Sequence, residues 1–193
     1  MSEYRKIETL YERDDQTHRL KQPLVLKNRV YGIVNPWVFT EKIDGTNIRC
    51  IWHRGKVTFG GKTDNAQIHA DLVTWLYEHV TPDGFRAAFP EQPEDYPIIL
   101  YGEGYGAGIQ KGGDYSPEKQ FILFDVLICD EDGNRWWLSD ENVRGGGRKL
   151  NLAVVPLIGE MSLAEATEMV RQGFPSTTAS LRRLAEGLVG RPC

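Results

Sequence analysis

Short apolar runs alternate with turn signals in the first third of the chain. Residues 37–43 and 47–52 are rich in aromatic and β-branched side chains, and the pair Asp44-Gly45 between them is a strong turn signal. A further turn at residues 54–56 leads into a third run at residues 57–59. This pattern predicts three consecutive antiparallel strands.

A helical period follows these strands. Ile68, Leu72 and Leu76 recur at four-residue steps between residues 66 and 80, which is the spacing of one helix face. Because proline cannot continue a helix, Pro82 is expected to end it.

Strands and helices are mixed in the rest of the chain. Continuous apolar runs predict buried strands at residues 97–103 and 120–129, on either side of a glycine-rich loop at residues 104–113. Further elements are expected as strands at 136–138, 153–158 and 187–189 and as helices at 162–173, where Ser162 and Glu165 form a capping box, and at 176–185. Since strands dominate without strict alternation with helices, the predicted fold class is α+β, with antiparallel sheets flanked by helices.

Composition and charge place only a few further constraints on domain number, partner and compartment. The 193 residues fit one domain, and the net charge of −4 argues weakly against a nucleic-acid partner, because phosphate binding usually leaves a basic surface. The three cysteines are widely spaced and form no metal or disulfide pattern. The polar N-terminus lacks a signal-peptide core, and no stretch reaches transmembrane length. A reducing, cytoplasmic setting without a membrane is therefore expected.

The segment EKIDGTN, residues 41–47, carries the most informative chemistry. Lys42 is placed at the end of a strand, just before the Gly45 turn, where its side chain would point into a cleft at the sheet edge. A lysine there is a candidate nucleophile if desolvation or neighbouring positive charge makes its amine partly neutral. The alternative for such a short motif alone is an ordinary exposed lysine before a hairpin.

This segment resembles motif I, KxDG, of the covalent nucleotidyltransferases, which comprise DNA ligases, RNA ligases and capping enzymes. The fuller form EKxDGTN and the preceding Trp37 are similar to the double-strand-repairing RNA ligase branch. The resemblance implies that Lys42 forms a phosphoramidate with the nucleotide. It also implies that Glu41 reads the adenine edge and that Asn47 contacts the ribose or phosphate.

Two more segments resemble motifs of the same family. Residues 100–103 (LYGE) are similar to motif III, which implies that Glu103 lies near the ribose. Residues 186–189 (EGLV) are similar to motif IV, EGxV, which implies that Glu186 helps to place a divalent metal.

Residues 121–125 (FILFD) are similar to motif IIIa. Strand alternation puts Phe121, Leu123 and Asp125 on one face and Phe124 on the other. The resemblance assigns base stacking to Phe121 and leaves Phe124 to the core, although the sequence does not settle which of the two phenylalanines stacks.

Two lysines outside these motifs are weaker candidates. Lys62 follows the second hairpin, where the family carries a basic residue that holds a phosphate, and a solvated hairpin lysine is the alternative. Lys111 in the glycine-rich loop is a candidate for facing nucleic acid, and a surface loop is the alternative.

Together these resemblances imply a nucleotidyltransferase domain, of the ATP-grasp-like ligase adenylation type, over residues 1–193. Its implied activity is that of an ATP-dependent RNA ligase that uses ATP and Mg²⁺ or Mn²⁺ and joins a 3′-hydroxyl to a 5′-phosphate, as in nucleic acid repair. No KxK follows Glu186 as motif V, so we expect a domain truncated after motif IV, without an OB or C-terminal domain.

Alternatives stay open at this point. They are an ATP-dependent DNA ligase, a capping-type guanylyltransferase, and a noncatalytic nucleotide- or RNA-binding remnant. RNA is favoured over DNA as the partner by the EKxDGTN form and by the glycine-rich loop. The sequence does not give the oligomeric state.

Overall fold

The computed structural model describes residues 3–110, 115–180 and 182–192. Strands β1 to β8 span Trp37–Lys42, Thr46–His53, Lys56–Gly60, Ile98–Tyr105, Gln120–Cys129, Arg135–Trp137, Leu157–Met161 and Gly187–Pro192. Helices α1 to α4 span Ala70–His79, Pro82–Ala88, Asp140–Leu150 and Leu163–Gln172, and a short 3-10 turn covers Arg29–Gly32. In this part of the chain, no helix is both long enough and apolar enough to cross a membrane.

The strands form two antiparallel sheets, as the α+β prediction requires. The larger sheet has the order β3-β2-β4-β5-β6 and the smaller has the order β7-β1-β8. Helices α1, α2 and α3 cover one face of the larger sheet, where Ile48, Trp52, Leu72, Phe85 and Leu123 belong to one buried cluster. Burial of this apolar face is the main source of stability for such a layer.

The smaller sheet packs against α4 through a separate cluster that contains Trp37, Phe39 and Ala166. Consecutive strands β1 and β2 belong to different sheets. The link between them, residues 43–45, therefore crosses from one sheet to the other. The predicted antiparallel run of three strands is wrong between β1 and β2 and holds for β2 and β3.

A β-bulge in the larger sheet changes the faces of β5. The register with β4 shifts between Tyr101 and Gly102, so one extra residue of β5 is accommodated there. Phe121 and Leu123 face the helices, whereas Asp125 bonds to Tyr4 and Arg191 on the other side of the sheet. The predicted common face for Phe121, Leu123 and Asp125 is therefore wrong at Asp125.

Two helices were absent from the sequence prediction. Pro82 begins α2 instead of only ending α1, because Thr81 caps the new helix and proline is tolerated in the first turn. Helix α3 contains three consecutive glycines, residues 145–147. A Cβ at Gly147 would come within 2.3 Å of a Val154 side-chain atom, so close packing explains this glycine inside a helix.

Two predicted elements differ from the structure. The described part of residues 176–185 is not helical, and Pro175 instead forms an antiparallel bridge with Leu184. The strand expected at 153–158 lies at Leu157–Met161, and Val154 makes a single parallel bridge to Leu123.

Candidate active site

A cleft of about 490 Å³ is lined by residues of both sheets and by the N-terminal residues 4–7. Five of the candidate residues named from the sequence line it, namely Glu41, Lys42, Asn47, Lys62 and Glu103. The order of the strands explains why these side chains lie close together. Lys42 ends β1, Asn47 begins β2 beyond the link, and Glu103 lies directly opposite Asn47 on β4.

Lys42 and Glu186 form an ion pair at this cleft. The two strands pair so that Lys42 lies opposite Gly187, and the Lys42 Nζ donates a hydrogen bond to Glu186 Oε1. The side chains keep 47% and 36% of their exposed surface. Exposed pairs of this kind contribute only about 0–1 kcal/mol, so the amine can exchange its partner for another anion at little cost.

Glu41 lines the cleft, but its side chain is buried and its carboxylate is held by the segment after α4. Its carboxylate accepts hydrogen bonds from the Ser176 hydroxyl, from the Thr177 N–H at 2.9 Å and from the Thr177 hydroxyl at 2.8 Å. Both carboxylate oxygens therefore have protein partners, and the contacts join the segment after α4 to β1. They also explain why residues 176 and 177 do not start a helix.

Glu103 is half-buried beside these charges. Burial raises the pKa of its carboxyl to about 8; the positive charge of Lys42 opposes this rise, and the negative charges of Glu186 and Asp44 add to it. The carboxyl is thus largely neutral at pH 7 in this state. Three carboxyl groups close enough to influence one another make this end of the cleft a site for positive charge.

Within the described ranges, no group of three or more His, Cys, Asp or Glu side chains forms a ready-made metal site. The residues present nevertheless fit Mg²⁺ or Mn²⁺, because Glu186 and Glu103 supply carboxylate oxygens. Magnesium is commonly held by one or two carboxylates together with substrate phosphates.

Asn47 offers a second polar contact to a ligand. Its Oδ1 is buried in the cleft wall and has no hydrogen-bond partner among the described residues. Buried acceptors are rarely left unpaired, so this oxygen is a natural contact for a bound molecule.

The N-terminal segment forms a wall of the cleft that sequence reasoning missed. The Tyr4 hydroxyl donates to Asp125 Oδ2 at 2.8 Å, and its ring lies 5.0 Å from the rings of both Tyr101 and Phe124. Burial and the Asp125 carboxylate raise the pKa of Tyr4 to about 12, so its phenol stays protonated and donates. No local pattern in the segment could have shown a contact with a residue 121 positions away.

Arg191 joins the same network from β8. Its Nη2 donates to Asp125 Oδ2 at 3.1 Å and to the Phe124 carbonyl at 2.9 Å. Burial raises the pKa of Asp125, while Arg191 and the Tyr4 hydrogen bond oppose the rise. The network connects the smaller sheet with the larger one at the wall of the cleft.

The two phenylalanines of β5 are placed opposite to the sequence assignment. Phe121 is 1% exposed and belongs to the core under the helices. A Cβ on Gly102 would come within 2.3 Å of its ring, so the ring is fixed by a close contact with the sheet. Phe124 is partly exposed and lines the cleft, because strand alternation places it on the face of β5 opposite Phe121.

Lys62 lies at the opposite rim on a short loop that Arg49 holds. The buried Arg49 guanidinium donates to the Gly61 carbonyl at 2.8 Å and to Asp64 at 2.7 Å. Lys62 itself is exposed and lines the cleft. Lys111 lies outside the described residues.

Comparisons with known proteins agree with this arrangement. The RNA ligase family model matches residues 35–193. Among solved structures, a mutant of Naegleria gruberi RNA ligase with ATP and Mn matches with a TM-score of 0.61 and 20% identity, and another with AMP and Mn matches with 0.59 and 20%. Each alignment covers 81% of this chain and 46% of the other chain, so this chain spans about half the length of those ligases.

At this identity the structural likeness establishes the fold alone. The family assignment rests on the family model, which spans the whole of the cleft except the N-terminal wall. The chain belongs to the RNA ligase family.

Proposed function

We propose that this chain is the adenylation domain of an ATP-dependent RNA ligase and that Lys42 is its nucleophile. The observation that carries the proposal is the position of the Lys42 amine at the cleft, beside Glu186 and Glu103. A cleft of about 490 Å³ is of the size that small-molecule sites have, and ATP is the ligand that the family implies.

In the proposed first step, Lys42 Nζ attacks the α-phosphorus of ATP. A P–N bond forms, the bond from the α-phosphorus to the bridging oxygen breaks, and pyrophosphate leaves with the electron pair. Lys42 has to lose one proton to solvent before its neutral amine can attack, and the nitrogen releases a second proton to solvent as Lys42–AMP forms. The AMP then passes to a 5′-phosphate of the nucleic acid, and a 3′-hydroxyl finally displaces it.

The cleft residues would act mainly by alignment and by control of charge. Lys42 must leave Glu186 to reach the phosphorus, which its exposed ion pair allows. The unpaired Asn47 Oδ1 would accept a hydrogen bond from the nucleotide, and Glu103 would lie near its ribose. Lys62 would hold a phosphate at the rim.

Recognition of the base is assigned to the other end of the cleft. Phe124, rather than Phe121, is the aromatic ring that the cleft exposes, and we propose that it stacks on the adenine. For Glu41 to read the adenine edge, its carboxylate would have to exchange one of its contacts with Ser176 or Thr177 for the base.

A bound Mg²⁺ or Mn²⁺ would supply charge neutralisation at the phosphates during the transfer. Glu186 would be its main protein ligand, with Glu103 as the second carboxylate. Because the pKa of Glu103 is raised, a cation nearby would also favour its ionised form.

RNA is the proposed polynucleotide, and a reducing, cytoplasmic setting is proposed because Cys50 and Cys129 are both free. The RNA assignment rests on the resemblance of residues 41–47, EKIDGTN, to the RNA ligase branch.

The first experiment is intact-mass spectrometry of the protein after incubation with ATP and magnesium. We expect a covalent AMP adduct, which disappears in Lys42→Ala and remains in Lys56→Ala, a variant of an exposed lysine at the start of β3. GTP in place of ATP should give no adduct. A GMP adduct would instead indicate a capping-type guanylyltransferase.

Tight ATP binding without any adduct would contradict the proposal and indicate a noncatalytic binding protein. If the adduct forms, nicked duplexes with RNA or DNA on the 3′-hydroxyl side distinguish an RNA ligase from a DNA ligase. Sealing with a DNA 3′-hydroxyl at an equal or greater rate would overturn the RNA assignment.

A further inference from the structure

The link between β1 and β2 has to hold the end of the strand that carries Lys42. Pairing of β1 ends at Lys42 and pairing of β2 begins at Thr46, so Asp44 and Gly45 lie outside both ladders. Partly buried backbone groups need partners that the sheets do not provide here. The structure supplies them from a distant segment.

Two side chains provide these partners. The Asp44 N–H donates to the Tyr115 hydroxyl at 3.2 Å, and the Gln110 side-chain amide donates to the Gly45 carbonyl at 3.1 Å. The two side chains thus hold one backbone donor and one backbone acceptor of the same link. They lie on either side of residues 111–114 in the chain, in the segment that follows Glu103.

Tyr115 is itself held firmly. Its side chain is fully buried, its ring packs edge-on against Tyr105 at 6.1 Å, and the Arg183 guanidinium lies 4.3 Å above it. The hydroxyl therefore has a fixed position from which to accept the Asp44 N–H.

Gly45 is confined from the opposite side. A Cβ at this position would meet the Gly104 carbonyl oxygen at 2.2 Å, so only glycine allows the link to approach β4 this closely. Contacts with β4, with Gln110 and with Tyr115 together leave the link little freedom.

We propose that Tyr115 and Gln110 are positioning residues, which hold the Asp44–Gly45 link and thereby fix the direction of the Lys42 amine. This inference rests on the proposed function of Lys42. Tyr115 does not line the cleft, whereas Gln110 does, so the comparison of rate with ATP binding is made at Tyr115. The expected consequence of loosening the link is a slower attack by Lys42 with nearly unchanged binding of ATP.

Tyr115→Phe is the variant that tests this, since it removes only the hydroxyl. Tyr105→Phe is its matched control, because Tyr105 belongs to the same buried cluster but its hydroxyl donates to Gln120 instead of contacting the link. Three quantities are measured. They are the single-turnover rate of Lys42–AMP formation at saturating ATP, the Kd for ATP and the hydrogen-exchange rate of the Asp44 amide.

We expect Tyr115→Phe to slow adduct formation by about 5- to 10-fold, the value of one ordinary hydrogen bond. The Kd for ATP should change by less than about 2-fold, and the Asp44 amide should exchange about 5- to 10-fold faster. Tyr105→Phe should leave all three quantities within about 2-fold of the parent, because it removes no contact with the link. Gln110→Met should slow adduct formation in the same direction as Tyr115→Phe.

Equal adduct rates in Tyr115→Phe and Tyr105→Phe would overturn the inference while the proposed function stands. A parallel loss of ATP affinity would also overturn it, since that would place Tyr115 in binding and not in positioning. If the parent forms no adduct, the proposed function fails. The hydrogen-exchange rate of the Asp44 amide then tests the inference alone. An unchanged rate in Tyr115→Phe would show that the Tyr115 hydroxyl does not hold the link.

Discussion

The two ends of the cleft hold their charged groups in different ways. At one end, Lys42 and Glu186 form an ion pair that stays partly in contact with solvent. At the other end, Asp125 is 1% exposed and is held by the Tyr4 hydroxyl and by the Arg191 guanidinium. The first pair can separate at little cost, whereas breaking one contact of a buried charge network leaves a charge without its partner.

This difference fits two separate roles in the proposed reaction, attack on the nucleotide at one end and recognition of the base at the other. A nucleophile has to leave its resting partner, so a weak ion pair suits Lys42. A wall that recognises a base has to keep its shape, so buried hydrogen bonds and packed rings suit the end with Phe124. We therefore expect changes at the Lys42 end to alter the rate of adduct formation, and changes at the Phe124 end to alter ATP binding.

The largest expected effect is that of Glu186→Gln at the Lys42 end. Loss of this carboxylate would weaken the hold on the metal that neutralises the phosphates. It should slow Lys42–AMP formation by about 100-fold, the size seen when one electrostatic contribution to the transition state is removed. The Kd for ATP should change far less. Single-turnover adduct formation over a range of ATP concentrations measures both quantities.

Glu160→Gln is the control for this experiment, because Glu160 is an exposed residue of the same small sheet. It should behave as the parent. A Glu186→Gln variant that loses ATP affinity and keeps its rate at saturation would remove the proposed difference between the two ends.

A smaller effect is expected at the other end and is measured with two matched variants. Phe124→Leu should weaken ATP binding by about 5- to 10-fold, because base–aromatic stacking contributes about 1–3 kcal/mol. Phe121→Leu should lower the free energy of unfolding by about 1 kcal/mol, as volume changes in a packed core do, without changing ATP affinity. Calorimetric titration and chemical denaturation measure these quantities.

The reverse result would restore the assignment made from the sequence. If Phe121→Leu weakens ATP binding in a stably folded protein and Phe124→Leu does not, then Phe121 stacks on the base and the cleft changes shape when ATP binds.

Local signals were sufficient for much of the fold. The break between β1 and β2 at Asp44-Gly45, the buried strand at Gln120–Cys129 and the Ser162 capping box all lie where the sequence predicted them. Each depends on residues that are neighbours in the chain. The resemblance to the ligase motifs likewise predicted one site for Lys42, Asn47 and Glu103, and all three line the same cleft.

Apart from α2, whose cap at Thr81 is a local signal, the errors arise from contacts between distant segments. The helix with Gly145–Gly147 was missed because glycine disfavours helices locally, whereas packing against Val154 favours it here. Ser176 was expected to open a helix, and it bonds to Glu41 instead. The Tyr4 wall and the bulge in β5 have no local signal at all.

The last expected effect concerns stability instead of rate or ATP binding, and it compares the two ends directly through pH. The pKa of Glu103 is about 8 in the folded protein, well above the usual value for a glutamate. Between these two values the folded state holds a proton that the unfolded state has lost. The contribution of Glu103 to the free energy of unfolding is therefore fully present below its unfolded pKa. It declines as the pH rises toward 8, at most by about 1.4 kcal/mol per pH unit.

Glu103→Gln removes this titration. It should flatten the decline in stability between about pH 5 and pH 8, the range that lies between the unfolded and the folded pKa of Glu103. Chemical denaturation at several pH values measures the slope, and Glu160→Gln should keep the slope of the parent. Burial also raises the pKa of Asp125, so Asp125 contributes in the same direction at the other end. If Glu103→Gln leaves the slope unchanged and Asp125→Asn removes it, then the group whose protonation controls stability lies at the Phe124 end, and Glu103 is more solvated than its position indicates.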